Sequence, residues 1–166
     1  LIGRNWEHLI HVTRQSLNTD ADMYEVRGDY LEDLGDAGGI AEMLKEVRAS
    51  IGNCPLIFTL RSEEEGGKCT FSDRDYLNVN QAVIRSGLAD IIDIEYAKGP
   101  EIINTLVSAS YERGVFTILS RHFTESMPSA ERILAVFLEM HAFPADILKF
   151  AALAKEIGRA SCRERV

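Results

Sequence analysis

Hydrophobic positions in this chain follow two rhythms. Leu56–Leu60, Ile91–Ile94, Val115–Leu119 and Ile147–Ala152 are nearly continuous apolar runs, the last interrupted by Lys149. Parallel strands covered on both faces read that way. The stretch "DMYEVRGDY" (22–30) adds a short strand of alternating character. Between these runs, apolar residues recur at three- and four-residue spacing, as on one face of a helix. Helices are predicted over 5–17, 38–52, 72–87, 99–114 and 128–141. Ser72 is placed to cap one start, Pro100 fits a first turn, and Gly52, Gly87 and Gly114 fit helix ends.

Strand and helix therefore alternate about every 30 residues, as repeated β-α units do. An open doubly wound sheet and a (β/α)8 TIM barrel both fit that alternation. The polar residues favour the barrel. Glu25 and Arg27, Arg61, Asp93 and Glu95, His122, and Lys149 each fall within or at the C-terminal part of a strand. A barrel brings those ends to one mouth, where its active site is built. An open sheet concentrates its chemistry at a switch point instead. The glycines of "EEEGGKCT" match neither the dinucleotide-binding nor the phosphate-loop spacing.

Composition narrows the partners. The 166 residues carry a net charge of -8, which argues against a nucleic-acid partner and against an anionic membrane surface. No apolar run approaches the roughly 20 residues of a membrane span. Cys54, Cys69 and Cys162 show no C-x-x-C spacing, so neither a zinc site nor a redox pair is suggested. They read as free thiols, and a cytoplasmic location is expected. No leader pattern is visible, and the chain opens at Leu1 rather than Met.

The lysine inside "ADILKFAAL" (145–153) is the candidate centre. A lysine within an apolar strand snorkels, pairs with a carboxylate, or serves as a nucleophile. As a nucleophile it attacks a ketone in its neutral form, which burial and nearby cations such as Arg27 and Arg61 would favour. His122, one strand earlier, suits proton transfer beside an iminium. Glu25 and Arg27 share one strand face, as a salt-bridged layer or as contacts to substrate oxygens. Glu65 sits in the loop after Arg61. Asp93 and Glu95 are open to three roles: metal ligand, ion-pair partner, or orienter of the groups that act.

These residues stand in "YEVRGDYL" (24–31), "PLIFTLRSEEEGG" (55–67), "DIIDIEY" (90–96), "ILSRHFTESMPS" (118–129) and "ADILKFA" (145–151). In that order and spacing the stretches resemble the type I 3-dehydroquinate dehydratases, the Schiff-base dehydroquinases of the shikimate pathway. The resemblance implies that Lys149 forms an imine with the ketone of 3-dehydroquinate. It implies that His122 is the general acid/base and that Glu25, Arg27 and Arg61 contact substrate. Glu65 corresponds to a loop glutamate near the histidine. The imine acts as the electron sink, so no metal and no organic cofactor are implied. The implied partner is the small-molecule substrate, with a homodimer at full length.

Three positions depart from the family pattern. Phe123 stands where an aspartate usually follows the histidine, "FAALAKE" replaces "IAVMP" after the lysine, and Val26 replaces a tryptophan. A TIM barrel takes about 250 residues, so this chain is expected to hold strands 2–6 of an incomplete barrel and to be poorly active. The expected partial barrel domain is 1–155. The tail 156–166, "EIGRASCRERV" (with Lys155 before it), does not resemble the family and reads as translated sequencing adapter. Other readings remain: a metal-dependent barrel hydrolase or isomerase using Glu25, Asp93 or Glu95, and His122; another Schiff-base barrel such as a class I aldolase; or a non-catalytic fragment.

Overall fold

The computed structural model describes residues 1–34 and 37–154. The expected boundary at residue 155, the tail 156–166 and Cys162 lie outside the described residues. In chain order the elements are α1 (Trp6–Ser16), β1 (Tyr24–Arg27), α2 (Ala37–Ile51), β2 (Leu56–Thr59), α3 (Asp73–Ser86), β3 (Ile91–Glu95), α4 (Pro100–Arg113), β4 (Phe116–Phe123), α5 (Ala130–Met140) and β5 (Ile147–Ala152). Every helix and strand expected from the pattern is present.

Local chemistry sets several boundaries. The Asn5 side chain accepts from the His8 backbone N–H at 2.9 Å and starts α1. The Ser72 hydroxyl accepts from the Asp75 N–H and starts α3. Gly87 and Gly114 close α3 and α4 at φ of 65° and 69°, where a Cβ is disfavoured. β2 stops one residue short of its apolar run, whereas β3 and β4 continue past the C-terminal ends of theirs. Three single 3-10 turns, Gly28–Tyr30, Glu63–Glu65 and Tyr96–Lys98, take over near the C-terminal ends of β1, β2 and β3. They carry the chain from each strand toward the next helix.

All four strand pairings are parallel, and the sheet order is β1-β2-β3-β4-β5. Each strand thus joins beside the one before it. With right-handed crossovers, that order places the helices on one side of the sheet. A doubly wound sheet would reverse its order at a switch point; this one does not, so the barrel reading holds, with the barrel incomplete.

Alternation then gives the sheet two different faces. Val26, Phe58, Ile92, Ile94 and Leu119 are 0% exposed, as are Leu44, Val47, Val83, Ile103, Leu106, Val136 and Met140 of the helices. These two sets form the core. Each such aliphatic side chain contributes about 1.5–3 kcal/mol through burial. Val26, at the family's tryptophan position, belongs to this layer and not to the mouth. On the opposite face, Phe116 and Ile147 remain 58% and 46% exposed. None of the described helices is long and apolar enough to cross a membrane.

Candidate functional site

The strand register explains which side chains meet. Arg27, Thr59, Asp93, Ile118 and Ile147 form one row across the sheet. Glu95, Ser120 and Lys149 form the row above it, and His122 is opposite Ala151 one step higher. Side chains in these rows share the face away from the helices. Glu25, Arg27, Asp93, Glu95, His122 and Lys149 are therefore gathered on one surface, as the sequence suggested. Arg61 differs from expectation in place: it lies two residues beyond the end of β2, in the loop, yet is buried.

Arg61 is the hub. Its Nη2 donates to Asp93 Oδ1 at 2.8 Å. Its Nη1 donates to Ser120 Oγ at 2.9 Å, Glu95 Oε1 at 3.2 Å and Glu65 Oε2 at 3.4 Å. The Ser120 hydroxyl in turn donates a hydrogen bond to Asp93 Oδ1. The remaining oxygen of Asp93, Oδ2, accepts from Lys149 Nζ at 3.1 Å. Burial pushes the Asp93 carboxyl up, and Arg61, Lys149 and Ser120 outweigh it, holding the group below its ordinary value. Burial also weighs against the Arg61 charge, and its carboxylate neighbours reverse that effect.

Glu95 behaves differently although it is two residues from Asp93. Burial raises its carboxyl, and the Ser62 N–H and Arg61 only partly oppose this. Oε1 accepts from the Ser62 N–H at 2.8 Å, while Oε2 has no partner among the described residues. Both carboxyls are ion-pair partners of Arg61.

The cations expected to surround Lys149 are already matched. Arg27 forms a two-bond clamp on Asp29 at 2.8 and 2.8 Å. Arg61 faces Asp93, Glu95 and Glu65. The near neighbour of the Lys149 amine is thus a carboxylate, and its side chain is 41% exposed. This corrects the expectation of a buried amine in a cationic field. The cause is positional: Asp93 lies between Arg61 and Lys149 and engages both.

His122 is oriented by Glu65. The ring Nδ1 lies 3.0 Å from Glu65 Oε2, and the His122 backbone N–H donates to the same oxygen at 3.1 Å. A carboxylate only accepts, so this contact matches a ring with its proton on Nδ1 and its Nε2 lone pair free. Glu65 reaches this point because Gly67 lets the loop fold tightly. A Cβ at Gly67 would lie 1.9 Å from the Arg61 carbonyl oxygen. Glu25 accepts from Thr59 Oγ1 at 2.6 Å.

Sequence reasoning missed Asp29, Ser120 and Arg121. Asp29 is fully buried and also accepts from the backbone N–H groups of Arg61 and Lys68, at 3.4 and 3.2 Å. Ser120 had a usable signal: it alternates with His122, so both face the mouth. Asp29 had a weaker one, its place two residues beyond Arg27. Arg121 Nη1 donates to Glu65 Oε1 at 2.7 Å, a contact that no local pattern reveals.

The fold and site together define an incomplete parallel β/α barrel with a lysine–aspartate pair and a glutamate-held histidine at its strand ends. Comparison with known proteins gives the particular family. The sequence profile of type I 3-dehydroquinase matches residues 1–159, and the chain belongs to that family. It is 36% identical over 153 residues to the 3-dehydroquinate dehydratase of Bacillus licheniformis, covering 92% of this chain and 60% of that protein. It is 33% identical over 153 residues to the one from Syntrophotalea carbinolica, with the same coverage of 92% and 60%.

Solved structures agree. The type I 3-dehydroquinate dehydratase from Clostridium difficile, solved with covalently modified comenic acid, superposes with a TM-score of 0.89 at 31% identity, covering 93% of this chain and 61% of that one. The Enterococcus faecalis structure gives 0.89 at 28% identity, covering 94% and 65%. A Toxoplasma gondii protein described as a deoxyribose-phosphate aldolase shares the fold alone, at 13% identity and a TM-score of 0.61 over 89% of this chain and 62% of that one. The chain spans about 60% of the length of the curated relatives it matches.

Proposed function

We propose that the chain carries the imine-forming part of a 3-dehydroquinate dehydratase, converting 3-dehydroquinate to 3-dehydroshikimate. The observation that carries the reading is the pairing of β4 with β5. It seats Lys149 beside Ser120 and next to the strand that presents His122, with Asp93 and Glu65 fixing the two side chains.

Lys149 Nζ attacks the ketone carbon, and loss of water gives an iminium. His122 Nε2 removes a proton from the adjacent carbon, and the electron pair moves onto the iminium nitrogen as an enamine. The enamine returns its pair and expels the β-hydroxyl, which leaves as water with the imidazolium proton. Hydrolysis of the new iminium frees the product and the amine. One water is lost overall. Glu25 and Arg27 contact substrate oxygens, and Arg61 holds the carboxylates that set Lys149 and His122. The chain uses only its own side chains for these steps.

The metal-dependent alternative fares worse in this geometry. Glu25 faces Thr59, Asp93 and Glu95 face Arg61, and His122 faces Glu65. Its proposed ligands therefore do not converge on one point. A cytoplasmic location and a homodimer at full length belong to the same proposal.

The test is reductive trapping. Incubation of the chain with 3-dehydroquinate and borohydride is expected to add the mass of the reduced adduct to the peptide containing Lys149. The Lys149→Met variant should show none. Turnover, followed by the ultraviolet absorbance of the conjugated product, is expected to be low relative to a full-length relative. An unmodified Lys149 peptide under saturating ketone would overturn the reading.

A further inference from the structure

Alternation along β4 puts Arg121 on the side opposite Ser120 and His122. Its guanidinium nevertheless reaches over the strand end to the mouth. Nη1 lies 2.7 Å from Glu65 Oε1, and the guanidinium carbon stands 5.2 Å from the centre of the Phe123 ring. Phe123 packs on Phe150 with centroids 5.4 Å apart, and Phe150 packs on Phe137 at 5.8 Å. Two of the departures noted in the sequence, at Phe123 and in the stretch after Lys149, therefore touch each other and form a platform under one arginine.

Glu65 divides its oxygens. Oε1 goes to Arg121; Oε2 meets the His122 ring, the His122 N–H and, at the longer distance of 3.4 Å, Arg61. Its side chain is 1% exposed, so water does not compete for it. A carboxylate is planar, and fixing one oxygen fixes the line on which the other lies. Without Arg121, rotation about the terminal bond would let Glu65 turn toward Arg61 and away from the imidazole.

We infer that Arg121 is a positioning residue: seated on the Phe123 ring, it holds Glu65 so that Oε2 fixes His122 with its proton on Nδ1. The inference rests on the reading of His122 as the acid/base. Arg121 acts through Glu65 and does not touch the reacting atoms. Its planar fork and its stacking on an aromatic face are features a lysine does not reproduce.

The experiment is nitrogen NMR of the His122 ring in the whole chain at a pH where the imidazole is neutral. The parent should show mainly the Nδ1–H tautomer. In Arg121→Gln the ratio of Nδ1–H to Nε2–H should fall about five-fold, as loss of one orienting hydrogen bond allows. Arg121→Lys should fall by about two-fold, since it keeps the charge and loses the fork. Phe123→Leu should shift the ratio in the same direction. A parent-like ratio in Arg121→Gln would overturn the inference. Should that variant not fold, parent-like ratios in both Arg121→Lys and Phe123→Leu would do so. Borohydride trapping in the parent separates the two ideas: a missing Lys149 adduct counts against the dehydratase reading, and the tautomer ratios alone decide the role of Arg121.

Discussion

The Lys149 amine donates to Asp93 at 3.1 Å, while the other oxygen of the same carboxylate accepts from Arg61 at 2.8 Å. One buried aspartate thus ties the candidate nucleophile to the hub of the site.

Asp93→Asn should destabilise the chain strongly. Asp93 is 1% exposed, and removing its charge leaves Arg61 buried with less compensation. Breaking a buried pair in this way costs about 3–5 kcal/mol. The expected outcome is a lower urea midpoint with an unchanged slope. A loss below about 1 kcal/mol would mean that Glu95 and Glu65 alone neutralise Arg61.

Lys149→Met should separate chemistry from stability. The lysine side chain is 41% exposed, so its ion pair is partly screened and the variant should lie within about 1 kcal/mol of the parent. Imine trapping should vanish. Equilibrium unfolding and peptide mass spectrometry on the same preparation check both halves.

Glu95 gives a pH prediction. Burial raises its carboxyl above the ordinary 4.5, so between 4.5 and the raised value the native state binds the proton more tightly than the unfolded chain. Stability from this group is present at lower pH and lost as pH rises through the native pKa. Asp93 has the opposite sign. Its native carboxyl is held below 3.8, so its contribution is present above that value and lost as pH falls through the depressed one. In Glu95→Gln, stability relative to the parent should therefore improve on going from pH 4.5 toward neutrality. Urea titrations across that range measure the difference. A pH-independent difference would refute the assignment.

Gly67→Ala should disturb the loop that delivers Glu65. The new methyl would meet the Arg61 carbonyl oxygen at 1.9 Å and the Ser62 carbonyl oxygen at 2.8 Å, both backbone atoms. Relief requires breaking the Gly67 N–H bond to the Ser62 carbonyl, now 2.8 Å. A cost of about 2–3 kcal/mol is expected in thermal or urea unfolding, together with a weakened His122–Glu65 contact in the ring-nitrogen spectrum.

Apolar spacing by itself determined the elements, and the motif order determined the family. Runs such as Leu56–Leu60 and Ile91–Ile94 are local signals, because a strand buried on both faces shows its burial in consecutive residues. The polar residues at the strand ends indicated a mouth, and alternation explains why Glu25, Arg27, Asp93, Glu95, His122 and Lys149 share one face. What tertiary structure decided is who pairs with whom. Asp93 meets Lys149 across 56 positions of sequence, and Glu65 meets Arg121 across the same separation. Such partners are set by strand register and loop path, and the balance of charge around Lys149 follows from them. That is why the sequence placed the lysine at the centre and misjudged its neighbours: charge types are written in the chain, and distances between them only in the fold.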